Sequence, residues 1–182
     1  DKMKEEVGYL IKQVSDEEQK ELSPQWIYEI FEENYVGRHP HFEISECHFK
    51  QIDGIFAEAV IKQDDKMRKV DANGNGRLDA VSNIIKQYFD ISFELTVYEE
   101  HALSQGSSSK AMAYVGVTYQ GKMYWGVGID EDIIKASIGA LVVAVNHMLD
   151  SRTVETVQDE RYLEMLNYIQ ANYQTVTLKD MA

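Results

Sequence analysis

The stretch NGNGRLDA, residues 73–80, separates two kinds of hydrophobic pattern. Before it, residues 55–61 alternate apolar and polar side chains, which is typical of a half-buried strand. After it, apolar residues recur at helical spacing over 78–89. The sequence therefore predicts that a sheet gives way to a helix at this pair of glycines.

The same order of patterns occurs twice along the chain. A hairpin turn is predicted at Asp53-Gly54, between the first two strands. The remaining predicted strands and the second helix lie at 42–44, 67–70, 93–98, 111–119, 122–127 and about 132–149. We therefore predict an α+β fold built from two pseudo-symmetric βββα units.

Helices are predicted on both sides of these units. Ser15 and Glu18 have the spacing of a capping box, which predicts a break between short helices near the start of the chain. Ser23 followed by Pro24 predicts the N-cap of a further helix that ends at Gly37. The predicted segments are a helical linker subdomain over 1–38, the two βββα units over 39–150 and a C-terminal helical extension over 151–182.

Charge and cysteine content narrow the partners and the compartment. The chain has 31 acidic and 18 basic residues, a formal net charge of -13, which disfavours nucleic acid and anionic membranes as partners. The single cysteine, Cys47, permits no internal disulfide, so we predict a reducing, cytoplasmic location. The longest uninterrupted apolar run, 140–145, is too short to span a bilayer. A first residue of Asp1 predicts a fragment of a longer protein.

The second predicted helix of the βββα units is apolar on almost every side. Its apolar residues include Ile133, Ile134, Ile138, Leu141, Val142 and Val145. A helix of this kind is buried on more than one side. We therefore predict that a subunit interface provides the second cover and that the chain forms a homodimer.

Residues 71–79 imitate the calcium-binding loop of an EF-hand. Oxygen-bearing side chains occupy the first, third, fifth and ninth loop positions, and Gly76 occupies the sixth. The twelfth position, however, is Ser82 instead of a bidentate glutamate, and the segment before Asp71 alternates like a strand. A calcium-binding regulator is therefore a minor alternative.

Both predicted strand-to-helix joints contain glycine and could bind a small charged ligand. Gly74 and Gly76 let backbone amides at a helix start approach an anion such as an amino-acid carboxylate, although a plain tight turn explains them equally well. At the second joint, 126–132, Asp130 and its neighbours either cap the helix or bind an ammonium group. Together the two joints could complement a zwitterion.

The sequence predicts neither a metal site nor a catalytic site. His39 and His41 have a spacing that can ligate a metal, but Pro40 separates them and no third ligand is evident. The serines of 104–109 have no evident base partner. His101 could contact a ligand, and a structural role is the alternative.

Four ordered motifs resemble one known family. They are NGNGRLDA at 73–80, YEEHAL at 98–103 with a loop of small residues after it, WGVGID at 125–130, and Ala136-Ser137. In this order and spacing they resemble the C-terminal regulatory domain of 2-isopropylmalate synthases, the LeuA family. The resemblance covers roughly residues 40–150, and 22–35 is similar to the helical linker subdomain of the family.

The resemblance implies a homodimeric LeuA allosteric dimerisation domain that binds L-leucine between its βββα units and regulates a catalytic barrel of the same parent chain. In the family that barrel condenses acetyl-CoA with 2-oxoisovalerate and holds a divalent metal, so this chain is expected to need no cofactor. The resemblance and the two joints together predict these residues in or beside the leucine pocket: Gly74, Gly76, Leu78, Asp79, Tyr98, His101, Ala102, Gln105, Gly106, Asp130 and Ile133.

The identity of the amino acid stays open at this point. Citramalate synthases have similar regulatory domains that respond to isoleucine. Leucine and isoleucine are isomers that differ only in where one methyl group branches, and even a whole methylene of difference supplies only about 1 to 3 kcal/mol of discrimination in an apolar pocket. Leucine is therefore the prediction, and isoleucine is the alternative.

Overall fold

The computed structural model describes residues 2–37, 40–103 and 109–152. The chain divides into two compact units, Asp1–His147 and Met148–Ala182. Its elements are α1 Lys2–Glu18, α2 Pro24–Tyr35, β1 Glu43–Gln51, β2 Ile55–Gln63, β3 Lys66–Gly74, α3 Arg77–Phe89, β4 Glu94–Ala102, β5 Ala111–Tyr119 and β6 Lys122–Asp130. A further helix, α4, is described over Ile133–Arg152. This order confirms the predicted α+β fold of two βββα units preceded by helices.

The first sheet is an antiparallel meander in the order β1-β2-β3, and α3 packs on β2 and β3. Asp53 and Gly54 both have positive φ, which confirms the predicted hairpin turn. In β2, Ala57, Ala59 and Ile61 are buried, while the side chains between them point to the other face. The two small alanines let α3 lie close to this strand.

The second sheet, in the order β4-β5-β6, is covered on both faces. On one face α4 lies so close to β6 that a methyl group at Gly126 or Gly128 would overlap backbone atoms of the helix. The other face packs against α1 and α2. The buried residues of that contact are Met3, Tyr35, Met112, Trp125 and Val127. A sheet buried on both faces needs apolar residues in both alternating sets, and β6 has them.

Helix α4 lies in the core. Residues 140–146 are each at most 2% exposed within a single chain. The prediction that a subunit interface provides the second cover of this helix is therefore wrong for these residues. The side chain of Asn146 ties α4 to the residues before β1. Its oxygen accepts from the N–H groups of His41 (2.8 Å) and Phe42 (3.3 Å), and its amide donates to the carbonyl of Phe42 (3.1 Å).

By length and mean hydropathy, α4 is also apolar enough to cross a membrane. A search for uninterrupted apolar runs overlooks this helix because polar residues such as Ser137 and Asn146 lie within it. In the fold, 67% of its most apolar window is buried. Core helices of soluble domains have the same length and composition, and the burial of α4 is that of a core helix.

The N-terminal helices differ from the prediction at one place. Helix α1 is continuous, so the predicted break at Ser15 is wrong. The Ser15 hydroxyl lies inside the helix and donates to the carbonyl oxygen of Lys20 (2.7 Å). The predicted N-cap is confirmed, because the Ser23 side chain accepts from the N–H of Trp26 (3.2 Å). The three segment boundaries remain predictions, and 153–182 lies outside the described residues.

Candidate functional site

A cavity of about 320 Å³ lies where the two βββα units meet. Strand β1, the first turn of α3, strand β4 and the first turns of α4 line it. The lining residues are Phe49, Gly76, Arg77, Leu78, Asp79, Tyr98, Ile134, Ser137 and Ile138. Small-molecule sites have volumes of roughly 300 to 1,000 Å³, so the cavity suits a small ligand. It brings together four predicted site residues: Gly76, Leu78, Asp79 and Tyr98.

The N-terminus of α3 opens into this cavity. Gly76 is the N-cap, its backbone is extended, and it provides no side-chain cap for the helix. A methyl group added at Gly76 would meet no atom within 4 Å, so the space beside it is open. Amide groups and the positive dipole end at a helix start favour an anion. Arg77 also lines the cavity, and its guanidinium carbon lies 5.9 Å from the ring centroid of Phe49, another lining residue, so a positive charge stands at the same wall.

Tyr98 forms the wall that β4 contributes. Its hydroxyl lies 2.7 Å from Oε2 of Glu100 and 2.9 Å from Oγ of Ser137. Ser137 is 2% exposed, and its hydroxyl is also 2.6 Å from the carbonyl oxygen of Ile133, to which it can donate. Partial burial raises the pKa of Tyr98, so the phenol stays neutral at neutral pH.

One carboxylate lines the cavity, and a second contacts the lining residue Tyr98. Asp79 lines it, and Glu100 lies one hydrogen bond from Tyr98. One oxygen of Asp79 accepts from the N–H of Asn75 (2.8 Å), and a carboxylate has capacity for further donors. Apolar side chains complete the lining: Phe49, Ile134 and Ile138. This arrangement suits a zwitterion with an apolar side chain, because an anionic and a cationic partner flank an apolar wall.

Gly74 and Ala102 lie outside the cavity. Gly74 ends β3, and a methyl group there would overlap the backbone at Ala80, so this glycine serves the close return of α3. Ala102 is the exposed last residue of β4. Two further predicted residues, Gln105 and Gly106, lie outside the described residues.

The second strand-to-helix joint also lies outside the cavity lining. Asp130 accepts from the N–H of Asp132 (2.9 Å), and Asp132 accepts from the N–H of Ile134 (2.8 Å). Asp132 therefore caps the start of α4, and Asp130 fixes the residue before the helix, which is the structural alternative to an ammonium partner. Ile133 begins α4, and its neighbour Ile134 provides the apolar contact with the cavity.

His101 lies on the opposite face of β4 from Tyr98, because residues three apart in a strand point to opposite sides. It lines a groove beneath α1. Its ring centroid is 5.7 Å from that of Tyr114, and its Nε2 is 3.8 Å from Oε2 of Glu99. A single chain therefore does not bring His101 and Tyr98 into one cavity.

Five of the lining residues were not predicted to belong to a site. They are Phe49, Arg77, Ile134, Ser137 and Ile138. Arg77 and Ser137 belong to the motifs that carry the resemblance, so those motifs held the signal for them. Phe49 has no such signal, because its place depends on how β1 meets α3 in three dimensions.

The calcium alternative is wrong in its structural context. Asp71 and Asn73 lie within β3 and pair with Glu58 and Phe56 of β2, whereas an EF-hand needs a helix there. Ser82, at the last loop position, is buried in α3. In the described ranges 2–37, 40–103 and 109–152, no group of three or more His, Cys, Asp or Glu side chains could hold a metal ion. His39 lies outside them.

Known proteins are similar in sequence to this chain over most of its length. A profile described as the LeuA allosteric (dimerisation) domain matches residues 21–149. A 2-isopropylmalate synthase of Helicobacter hepaticus is 37% identical over 155 residues, which cover 80% of this chain and 28% of the relative. A second, of Desulfitobacterium hafniense, is 39% identical over 155 residues, covering 84% and 28%. A third, of Clostridium acetobutylicum, is 39% identical over 153 residues, covering 79% and 27%. The chain spans just over a quarter of the length of these curated relatives.

Proposed function

The chain belongs to the LeuA allosteric (dimerisation) domain family, and on this premise we propose that it is the leucine-binding regulatory part of a 2-isopropylmalate synthase. In this proposal it serves leucine biosynthesis by feedback inhibition. Bound leucine slows the condensation of acetyl-CoA with 2-oxoisovalerate in the catalytic barrel of the parent chain. The divalent metal of the parent belongs to that barrel, and this chain contributes regulation instead of catalysis.

The cavity between the two units is the observation that carries the proposal. The carboxylate of leucine would bind at the N-terminus of α3 beside Arg77. Its ammonium group would face Asp79. Its branched side chain would contact the apolar wall of Phe49, Ile134 and Ile138. Each part of the ligand thus has a partner of matching chemistry.

Regulation requires that leucine bind one conformational state more tightly than another. The position of the cavity supports such a role, because a ligand there would contact both βββα units at once. The second unit also packs against α1 and α2 through its other face. We also propose that the chain forms a homodimer, which the description of the family as a dimerisation domain supports. The proposed location is the cytoplasm.

Calorimetric titration of the 182-residue chain with leucine, isoleucine and valine tests the proposal. We expect saturable leucine binding that is at least about tenfold tighter than isoleucine binding, and a higher melting temperature in its presence. Preferential isoleucine binding would instead support the regulatory domain of a citramalate synthase. Absence of binding by all three amino acids would refute an amino-acid sensor.

Gly76→Val locates the site. The extended backbone at Gly76 accepts a β-branched residue, and the new side chain enters open space beside the helix start. We expect leucine affinity to fall at least about tenfold, a loss of about 1.4 kcal/mol, with little change in the ligand-free melting temperature. The matched control is Gly8→Val in α1, where an added methyl group also meets no atom within 4 Å. If Gly8→Val lost as much leucine affinity as Gly76→Val, the loss would not be specific to the cavity, and the site would lie elsewhere.

A further inference from the structure

The hydroxyl group of Tyr98, more than the packing of its ring, holds this side chain in place. Tyr98 is 42% exposed, so its neighbours do not enclose the ring. The hydroxyl, however, is bonded from two elements: Glu100 belongs to the same strand, and Ser137 belongs to α4. The hydroxyl is therefore the point at which the ring can be held as a cavity wall.

Two hydroxyl protons serve three short contacts in this cluster. The contacts join Tyr98 to Glu100, Tyr98 to Ser137, and Ser137 to the carbonyl of Ile133. In one arrangement Ser137 donates to Tyr98 and Tyr98 donates to the Glu100 carboxylate. In a second, Ser137 donates to the carbonyl of Ile133 and Tyr98 donates to Ser137. In a third, Tyr98 donates to Glu100 and Ser137 donates to the carbonyl of Ile133, and the contact between Tyr98 and Ser137 then has no proton. Tyr98 and Ser137 are therefore hydrogen-bonded in the first two arrangements only, and the effect of Ser137→Ala distinguishes these from the third.

Ser137 is placed to connect this bond to the apolar wall. Ser137 is buried, and it lies between Ile134 and Ile138 in the sequence of α4. All three residues line the cavity. A ligand that contacts the two isoleucines and the Tyr98 ring would therefore contact two elements that the Ser137 hydroxyl holds together. A shift of the ring would change the shape of the cavity without any change in its charged groups.

We propose that Ser137 is a positioning residue of the amino-acid site, holding the Tyr98 ring as a wall of the cavity and thereby setting the preference for leucine over the shorter side chain of valine. This inference rests on the proposed function, because it concerns the same site. Tyr98 contacts the ligand, whereas Ser137 acts through Tyr98. Glu100 completes the cluster from the β4 side.

Leucine and valine titrations of Ser137→Ala, Tyr98→Phe and the double variant test the inference. We expect each single variant to bind leucine about tenfold more weakly, as for the loss of one well-placed hydrogen bond. The double variant should bind no more weakly than the weaker single variant, because both remove the same bond. The preference for leucine over valine should narrow in each variant. A loss of stability alone would weaken both ligands equally.

Thr96→Val is the matched control, because Thr96 and Thr118 form a hydroxyl pair (2.6 Å) on the same sheet outside the cavity lining. Its leucine affinity should equal that of the wild type. If Ser137→Ala does not fold, Tyr98→Phe and Glu100→Ala decide. Weaker leucine binding in Tyr98→Phe but not in Glu100→Ala supports the role of Ser137, and any other pattern overturns it.

The two proposals fail in different ways. If the wild-type chain binds no amino acid, the proposed function fails. If the wild type binds leucine but the single variants bind it equally well, or if their losses multiply in the double variant, only the role of Ser137 fails.

Discussion

The two βββα units have the same order of elements but differ in the second face of the sheet. In the first sheet the outward side chains of β2 include exposed Glu58 and half-buried Lys62, and Lys62 forms an ion pair with Glu43 (3.1 Å). In the second sheet the outward side chains of β6 include Trp125 and Val127, which are buried beneath α1 and α2. The same topology thus gives a sheet covered on one face only, called the one-sided sheet, and a sheet covered on both faces. The side chains on the face away from α3 or α4 determine whether that face is covered.

The helix contacts of the two units differ in the side chain that the sheet can accommodate. In β6 the helix-facing residue Gly128 leaves no room for a side chain, whereas β2 uses alanines at its helix contact. We expect Gly128→Val to reduce the free energy of unfolding by at least about 4 kcal/mol, because α4 would have to move off the sheet. Denaturant unfolding measures this.

Gly139→Ala is the control for that substitution. Gly139 lies in α4, and an added methyl group would sit 3.8 Å from Gly128, which is ordinary contact. Alanine is a better helix former than glycine, so stability should stay equal or rise by up to about 1 kcal/mol. A destabilisation as large as that of Gly128→Val would contradict the close-packing explanation.

Trp125→Ala tests the extra cover of the second sheet. Removing a buried tryptophan costs about 3 to 5 kcal/mol, and Trp125 is only 5% exposed. The corresponding truncation on the outward face of the first sheet, Val60→Ala, removes a half-buried side chain and should cost less than about 1 kcal/mol. Similar losses in thermal and denaturant unfolding would show that the two outward faces are equally covered.

Asn146→Ala tests the polar tie between α4 and the residues before β1. The substitution leaves the N–H groups of His41 and Phe42 without the side-chain oxygen that accepts from them. We expect a loss of about 2 to 3 kcal/mol, because Phe42 is buried. Asn34→Ala is the control, since Asn34 donates one part-buried bond to the carbonyl of Ile30 (2.8 Å), and it should cost about 1 kcal/mol or less.

Local patterns were enough to predict most of the fold. The alternation of 55–61, the turn at Asp53-Gly54 and the N-cap at Ser23 each depend on neighbours in sequence, and the structure confirms them. The prediction of a break at Ser15 was wrong, because α1 continues through this residue despite the capping-box spacing. The spacing alone does not determine where a helix begins.

The candidate site was less predictable, because it forms where distant elements meet. The motif around 73–80 correctly indicated the start of α3. Tyr98 and His101 belong to one motif, yet the period of a strand places them on opposite faces, and that could have been recognised from the sequence. Phe49 and Ile134 are 85 positions apart (134 minus 49) and share a cavity only through the tertiary fold.

The smallest expected effect is on the reactivity of Cys47, which tests whether the helix-facing side of the first sheet is buried at β1. It pairs with buried Ala59, so its thiol points to the same face, and burial raises the pKa of Cys47 from its ordinary value of 9.0 to about 11. At pH 8 the thiolate is about a hundredfold scarcer than in an unfolded chain, but a more basic thiolate is also more nucleophilic. We therefore expect alkylation of the folded chain to be about tenfold slower than that of the denatured chain.

The same shift predicts a dependence of stability on pH. Because the folded pKa of Cys47 lies above the unfolded value, its contribution to stability is fully present below about pH 9 and is lost as pH rises through about 11. The difference in unfolding free energy between the wild type and Cys47→Ala should therefore shift against the wild type over that interval. A constant difference, together with alkylation as fast in the folded as in the denatured chain, would mean that the edge strand β1 leaves this face open to solvent.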